Sequence, residues 1–274
     1  MLLSSFYPYR LDRASQRMTD ADRIRNYWED RASSDKSAQA TTLDYYLREI
    51  EFRCISEAIS KYRPSGVFDI GCGDAFTTSR LAQMFPEITF VGGDYAQAMI
   101  GNAKRNVQQC EFKNVEIIYY DVSRPSDLPP FDLIYTTRCL INLTGWESQK
   151  QALINILRLL KQDGVYVMIE NFLDGHHEMN HIRQRFGLPE IKIRDHNCLF
   201  DKEAVLPFLG TWFDIEDTQN ISSAYYLVTR VIYSKICQQR GVEPDYFDEH
   251  HKLAAELPFC GNFGPVKMIT LKKR

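Results

Sequence analysis

The stretch VFDIGCGDAFTTSRLAQMFPEITFVGGDYAQAMI, residues 67–100, determines the predicted fold. Two apolar runs, VFDI and ITFVGG, each end in a turn that is rich in glycine or acidic residues, and the segment between them has apolar residues at helical spacing. This pattern predicts a strand, a helix and a second, parallel strand. Because ligands of open α/β sheets bind outside the carboxyl ends of the strands, we expect a ligand across the ends of these two.

Further apolar runs continue the alternation of strand and helix. VEIIYY, FDLIYT and GVYVMIE predict three more strands, and WFDIEDT and PVKMITLKK predict the last two. The segments AQAMIGNAKRNV and ESQKQALINILRLLKQ predict helices between the strands, the second of them capped by Gly164. The predicted fold class is α/β: a doubly wound, mainly parallel seven-stranded sheet of the Rossmann-like type, with helices on both faces.

The chain divides into three predicted parts. Residues 1–63 form an N-terminal helical cap, in which residues 19–62 carry two amphipathic helices. Residues 64–171 form the ligand-binding core. Residues 172–274 contribute the last two core strands and two insertions, 172–210 and 221–263, that we expect to cover the site.

Composition restricts the function classes. The chain has 274 residues, 44% of them hydrophobic, and a net charge of -3, which argues against a general nucleic-acid binder with its basic face. The opening apolar run, Met1 to Leu3, is too short for a signal sequence, and no later run has membrane-spanning length, so a cytoplasmic protein is expected. Seven cysteines without a Cys-x-x-Cys pair predict reduced and mostly buried thiols, with Cys72 a small side chain in the glycine turn.

The glycine turn indicates the class of ligand. Gly71 and Gly73 allow close backbone approach, and Asp94, about 20 positions further on, has the spacing of a carboxylate that binds ribose hydroxyls. A dinucleotide would require a third glycine, whose position is taken by Phe76, and Asp74 would add a carboxylate near its phosphates. These features disfavour a nicotinamide oxidoreductase. A nucleoside without phosphates fits better, and S-adenosylmethionine is the common one.

Four motifs in order, VFDIGCGDAF, VGGDYAQAMIGNA, YYDVS and FDLIYTTRCLINL, resemble the motif series of the class I S-adenosylmethionine-dependent methyltransferases. The resemblance covers roughly residues 64–170, and Ala75 departs from it where many members have a third glycine. It implies a small-molecule methyltransferase with S-adenosylmethionine as cofactor. It also implies these cofactor-binding positions: Tyr27, Trp28, Arg31, Asp69, Gly71, Gly73, Asp94, Tyr95, Met99, Asp121, Val122 and Thr137.

Several of these roles have structural alternatives. Asp69 contacts the amino group of the ligand or caps its own turn, and Asp121 contacts the adenine amino group or caps a turn. Met99 flanks the adenine or belongs to the core. In RNYWEDRAS, Tyr27 and Trp28 are expected to close the pocket, with Arg31 binding the methionine carboxylate; the alternative is simple helix packing.

The acceptor side requires a base when the acceptor is a hydroxyl or a protonated amine. We expect His196, within D-H-N, to be this base, with Glu170 as the alternative catalytic residue. His177 and His181 are four residues apart, but no carboxylate completes a metal site, so no metal is expected. The alternative is a polar loop with surface histidines. The predicted substrate-binding residues are Arg138, Asn171, His181, Asn197 and Tyr225.

The predicted function is methyl transfer to a hydroxyl or amine of a small-molecule biosynthetic intermediate, with a sugar-linked acceptor favoured. FDLIYTTR lacks the Asn/Asp-Pro-Pro-aromatic run of base-amino methyltransferases, so no nucleic-acid partner is expected, and no membrane partner either. A homodimer is a further expectation. The rival interpretation is a catalytically inactive nucleoside-binding or regulatory protein with the same fold.

Overall fold

The computed structural model of the protein describes residues 19–34 and 42–274. The predictions for Met1 to Leu3, and for the parts of the helical cap within 1–18 and 35–41, lie outside the described residues. Within the described ranges, no helix combines the length and the apolar character needed to cross a bilayer.

A seven-stranded sheet forms the centre of the molecule, in the spatial order β3-β2-β1-β4-β5-β7-β6. All neighbours are parallel except β7, which runs antiparallel to both β5 and β6. The predicted fold class is therefore confirmed. The strands are β1 (Gly66–Ile70), β2 (Thr89–Asp94), β3 (Val115–Tyr119), β4 (Phe131–Thr137), β5 (Leu160–Asn171), β6 (Phe213–Gln219) and β7 (Val266–Lys273).

Helices cover both faces of the sheet because alternate strand residues point to opposite sides. Val67 and Val167 pack under α2 and α3, whereas Phe68 and Tyr166 pack under α5 and α7. The helices are α1 (Asp20–Ser34), α2 (Tyr45–Tyr62), α3 (Phe76–Met84), α4 (Gln97–Gln109), α5 (Trp146–Leu159), α6 (Leu173–Arg185), α7 (Lys202–Trp212), α8 (Ser223–Tyr226), α9 (Ser234–Arg240) and α10 (Glu249–Ala254). A 3₁₀ turn (Leu140–Asn142) precedes α5, and a π-helical turn (Leu227–Tyr233) joins α8 to α9.

The predicted cap at Gly164 is wrong. Helix α5 already ends at Leu159, and Gly164 lies within β5. The left-handed residue of this connection is Asp163, with φ 62°. A glycine is still required at 164, because a Cβ there would lie 2.9 Å from the carbonyl oxygen of Lys161.

The cysteines are free thiols, as expected, but they are not mostly buried. Cys54, Cys72 and Cys237 are buried, whereas Cys110 and Cys260 are exposed and the other two are intermediate. Burial raises the pKa of the Cys72 thiol well above its ordinary value, so this residue is a packing group of the glycine turn.

Two helical glycines test the packing of the segment after β5. A Cβ on Gly175 in α6 would lie 2.0 Å from the backbone oxygen of Gly264, whereas a Cβ on Gly210 in α7 would meet nothing within 4 Å. We expect Gly175→Ala to lower the free energy of unfolding by at least about 1–3 kcal/mol through overpacking. Gly210→Ala should raise it by roughly 0.5–1 kcal/mol, because alanine favours a helix over glycine. Thermal and urea unfolding of the two variants measure this, and equal effects would contradict the packing described.

Candidate active site

The turn after β1 is held against the end of β2 by backbone hydrogen bonds. The N–H groups of Gly71 and Cys72 both donate to the carbonyl oxygen of Gly93, at 2.8 and 3.1 Å. Gly71 has φ 81°, and a Cβ at this position would lie 2.4 Å from Sγ of Cys139. A glycine is therefore required here by both conformation and space.

Asp94, the last residue of β2, completes this turn. Its Oδ2 accepts the N–H of Gly73 at 3.0 Å, and its Oδ1 accepts the N–H of Ala96 at 2.9 Å. Burial raises the pKa of this carboxyl to about 6, although the backbone donors oppose the rise. Each oxygen keeps a second lone pair, so the carboxylate can still accept the two hydroxyls of a ribose.

The residues after Gly73 correct part of the sequence argument. Ala75 is fully buried and left-handed, with φ 60°, a conformation that glycine adopts more readily than alanine. The Asp74 carboxylate is ion-paired with Arg48 at 3.2 Å and accepts the N–H of Phe76. Its charge is thus compensated away from the ligand, so the like-charge argument against phosphates does not hold at Asp74. The absence of glycine at Phe76 is unaffected.

A cavity of about 640 Å³ opens at the carboxyl ends of the strands, within the range of roughly 300–1,000 Å³ that is usual for small-molecule sites. Among the described residues, buried Oγ1 of Thr137 and Oδ1 of Asn171 have no hydrogen-bond partner, and both residues line this cavity. Such atoms require partners from a ligand or water. The structure brings most of the predicted site residues to its wall: Tyr27, Trp28, Arg31, Asp69, Gly71, Gly73, Asp94, Tyr95, Met99, Thr137, Arg138, Asn171, His196 and Asn197.

Asp69 is the second carboxyl at the cofactor end of the cavity. It accepts a hydrogen bond from Oγ1 of Thr78 at 2.5 Å, which favours the turn-ordering role. Burial raises its pKa to about 6, with Thr78 and Tyr135 opposing the rise. Because Asp69 also lines the cavity, both roles expected from the sequence fit its position.

Helix α1 covers the cavity and contacts both of its sides. Glu29 accepts the N–H groups of Gln97 and Ala98 at the start of α4, at 2.7 and 2.8 Å. Negative charge at a helix N-terminus is stabilising, so this carboxylate fixes α1 on the cofactor side. The ring of Tyr27, which is also on α1, stacks on His196 in the loop after α6, with ring centroids 4.3 Å apart.

His196 has the protonation state that a base requires. Burial lowers its pKa below the ordinary value, and the nearby charges of Arg194 and Arg23 lower it further. The ring is therefore neutral near pH 7 and able to accept a proton.

Glu170 does not line the cavity and is fully buried. Its carboxylate accepts the backbone N–H groups of Cys139, Leu140 and Ile141, at 3.1, 2.9 and 3.3 Å. The expected catalytic role conflicts with this geometry, because the carboxylate is directed at the segment after β4. It positions the residues that follow Arg138.

Four other predicted residues also lie away from the cavity wall. Asp121 accepts hydrogen bonds from the backbone and hydroxyl of Ser123, as the turn-cap alternative requires, and the neighbouring Val122 is buried in the core. His181 is exposed on α6. Tyr225 is buried and donates its hydroxyl to Asp44, so it supports a cavity residue from behind.

Sequence reasoning missed several charged and titratable residues of the cavity wall. The shared feature of these residues is that each lies on a helix or helical turn or, for Asp44, caps one. A usable signal was present in α2, where Arg48 and Glu51 recur at the spacing of its apolar residues. The missed residues are Asp44, Arg48, Glu51, Tyr226 and Arg230.

Comparison with known proteins identifies the core. The sequence-family model described as the methyltransferase domain matches residues 67–164, the segment that contains the glycine turn and Asp94. Residues 67–164 belong to the methyltransferase-domain family. The resemblance to class I methyltransferases is therefore confirmed, and with it S-adenosylmethionine as the cofactor.

Individual relatives of this methyltransferase domain are distant. Trans-aconitate 2-methyltransferase of Yersinia pseudotuberculosis is 34% identical over 65 residues, which are 24% of this chain and 25% of that protein. The match thus spans about a quarter of the length of this curated relative. Magnesium protoporphyrin IX methyltransferase of Synechocystis has the same fold, with a TM-score of 0.59, 12% identity and coverage of 92% and 98% of the two chains. The N-methyltransferase NodS of Bradyrhizobium japonicum also has this fold, with a TM-score of 0.57, 14% identity and coverage of 91% of this chain and 98% of that chain.

The raised pKa of Asp94 predicts pH-dependent cofactor binding. The ionised carboxylate accepts ribose hydroxyls better than the neutral acid, so affinity should be full above pH 7 and fall as the pH drops through about 6. For one group the expected loss approaches about tenfold per pH unit below the pKa. Calorimetric titration with S-adenosylhomocysteine between pH 5 and 8 measures it.

Asp94→Asn is the matched control, since it keeps the size of the side chain and removes its titration. We expect at least about tenfold weaker binding at pH 7.5 and a smaller pH dependence, the remainder coming from Asp69. Wild-type affinity in this variant, or tighter wild-type binding at pH 5, would contradict the role of Asp94.

Proposed function

We propose that the protein transfers the methyl group of S-adenosylmethionine to a hydroxyl or amine of a small-molecule acceptor. The observation that carries this proposal is one cavity lined by two chemically different groups of residues. One group is the glycine turn with Asp94, and the other comprises His176 and His196, whose pKa values burial lowers, together with Arg138 and Arg230. Such a cavity can hold a nucleoside cofactor and a second molecule side by side.

The chain offers a partner for each part of the cofactor. Asp94 would accept the ribose hydroxyls, and Asp69 with the backbone of Gly71 and Gly73 would hold the methionine end. Arg31, on the covering helix, has the forked geometry that suits the methionine carboxylate. When bound, S-adenosylmethionine supplies an electrophilic methyl group on a sulfonium centre.

The task left to the protein is alignment and proton removal. Holding two reactants in line contributes on the order of 7–11 kcal/mol to lowering a barrier. His196 is our candidate base, because it lines the cavity, is neutral, and is oriented by its stack on Tyr27. Asn171 and Asn197 would orient the acceptor. His176, buried beside Asn180, is the alternative base.

The enclosing elements favour a small acceptor. Helix α1, the loop 186–201 and the helical segment 223–240 all contribute residues to the wall of the cavity of about 640 Å³, a volume that suits small molecules. A sugar-linked biosynthetic intermediate stays our preferred acceptor class. A protein that binds the cofactor without transfer is the alternative, and the following experiment separates the two.

The test is formation of S-adenosylhomocysteine from S-adenosylmethionine with a panel of small hydroxyl and amine acceptors. We expect turnover that His196→Phe lowers by about 10²–10⁴-fold in kcat, because this variant keeps a ring on Tyr27 but removes the proton acceptor. The affinity for S-adenosylhomocysteine should change less than about twofold, which is small compared with the loss in kcat.

His176→Phe is the matched control at the other histidine. A large loss of kcat there, with turnover retained in His196→Phe, would reassign the base to His176. Cofactor binding without product from any acceptor in the panel would favour the inactive alternative.

A further inference from the structure

The cavity wall carries two arginines held by unusual backbone. Arg138, directly after β4, has φ 48°, a left-handed conformation that is uncommon for a residue with a long side chain. Arg230 lies in the middle of the π-helical turn Leu227–Tyr233. Left-handed residues and π turns cost stability and occur often at functional sites. Both irregularities here present an arginine to the same cavity.

The guanidinium of Arg230 is held rigidly. It lies over the rings of Tyr226 and Tyr246, at 5.0 and 4.7 Å from their centroids. Its Nη2 donates to Asp44, and its Nη1 is 3.0 Å from Nε2 of His251. A cation that is fixed in this way loses little side-chain entropy when it binds a ligand.

Arg138 is fixed in a similar way. Its Nε and Nη2 contact the two carboxylate oxygens of Glu51, at 2.7 and 3.0 Å. Tyr226 is influenced by both arginines: burial raises the pKa of its hydroxyl to about 12, while the charges of Arg230, which lies over its ring, and of Arg138 both oppose the rise. The two guanidinium groups therefore act on one small region of the cavity.

The charge balance of this region is positive. Asp44 and Glu51 each offset one arginine, and Asp44 also accepts the N–H of Leu47 at 3.2 Å. Among the described residues that line the cavity, the carboxylates are Asp44, Glu51, Asp69 and Asp94, so the lining residues Lys192 and Arg194 add positive charge beyond the two arginines that Asp44 and Glu51 offset. An acceptor that enters here meets an excess of positive charge.

We propose that the acceptor of this cavity carries a carboxylate, bound by Arg138 and Arg230 away from the atom that receives the methyl group. This inference rests on the proposed function, because it names the acceptor class for the same site. Some N–H donors of these two guanidinium groups are already used by Glu51 and Asp44. A planar carboxylate suits the donors that remain. A phosphate would place more charge and more oxygen atoms against the few donors that are left.

The experiment is calorimetric titration of the protein, with and without saturating S-adenosylhomocysteine, at constant ionic strength. The probes are succinate, its neutral diamide and inorganic phosphate. We expect succinate to bind and the diamide not to bind. Equal binding of succinate and the diamide, or tighter binding of phosphate than of succinate, would overturn the proposal.

Variants locate the probe in the cavity. Arg138→Lys keeps the charge but removes the fork, and the double variant Arg230→Gln with Asp44→Asn removes a buried ion pair without leaving one charge alone. Each should weaken succinate binding about tenfold, while S-adenosylhomocysteine affinity stays unchanged. The control Arg274→Gln removes an exposed arginine paired with Asp214 and should change neither. Unchanged succinate binding in both cavity variants, with circular dichroism confirming their fold, would overturn the proposal.

Failure of the proposed function is distinguishable from failure of this inference. If S-adenosylhomocysteine does not bind but succinate binds through Arg138 and Arg230, the carboxylate site stands and the methyltransferase proposal falls. If the cofactor product binds normally and succinate does not bind, only the carboxylate assignment falls.

Discussion

The site depends on the contact between the turn after β1 and the end of β2. Two N–H groups of the turn donate to Gly93, and a third, from Gly73, donates to the carboxylate of Asp94. These bonds fix the turn in the one conformation that leaves room beside Cys139. They also hold Asp94 at the carboxyl end of β2, where a nucleoside can reach it.

The rest of the site is assembled around this contact by elements that are distant in sequence. Glu29 of helix α1 accepts hydrogen bonds from the start of α4, and Tyr27 of the same helix stacks on His196. Helix α1 therefore connects α4 with the loop that carries His196. Helix α2 supplies Glu51, whose carboxylate holds Arg138 at the end of β4. Buried ion pairs contribute little net stability, because desolvation of the charges offsets their attraction. We infer that they stand beside the cavity because they orient a ligand.

The sheet and the cofactor end could be predicted from the sequence because their signals are local. Each strand is a short apolar run with turn residues at its end, and Gly71, Gly73 and Asp94 lie at strand ends whose position the fold determines. Gly164 was misassigned because a glycine that permits close backbone approach has the same sequence signal as a helix cap. Glu170 had the position expected for the alternative base, but its backbone partners after β4 could not be foreseen.

The acceptor end could not be predicted to the same extent. Arg48, Glu51 and Arg230 lie on helices whose charged residues would ordinarily face solvent. The packing of α2 against the sheet, and of the π-helical turn against α6 and α10, turns them toward the cavity. A π turn adds a residue to a helix without a clear sequence signal. Residues of this kind become apparent only when the tertiary structure brings them to one wall.

The cofactor preference of the purified protein tests most directly whether the site at the ends of β1 and β2 binds a nucleoside cofactor without phosphates. Calorimetric titration at pH 7.5 with S-adenosylhomocysteine, and separately with NAD, compares a nucleoside ligand without phosphates with a dinucleotide. We predict micromolar binding of S-adenosylhomocysteine and no binding of NAD. Binding of NAD in preference to S-adenosylhomocysteine, or binding of neither, would contradict it.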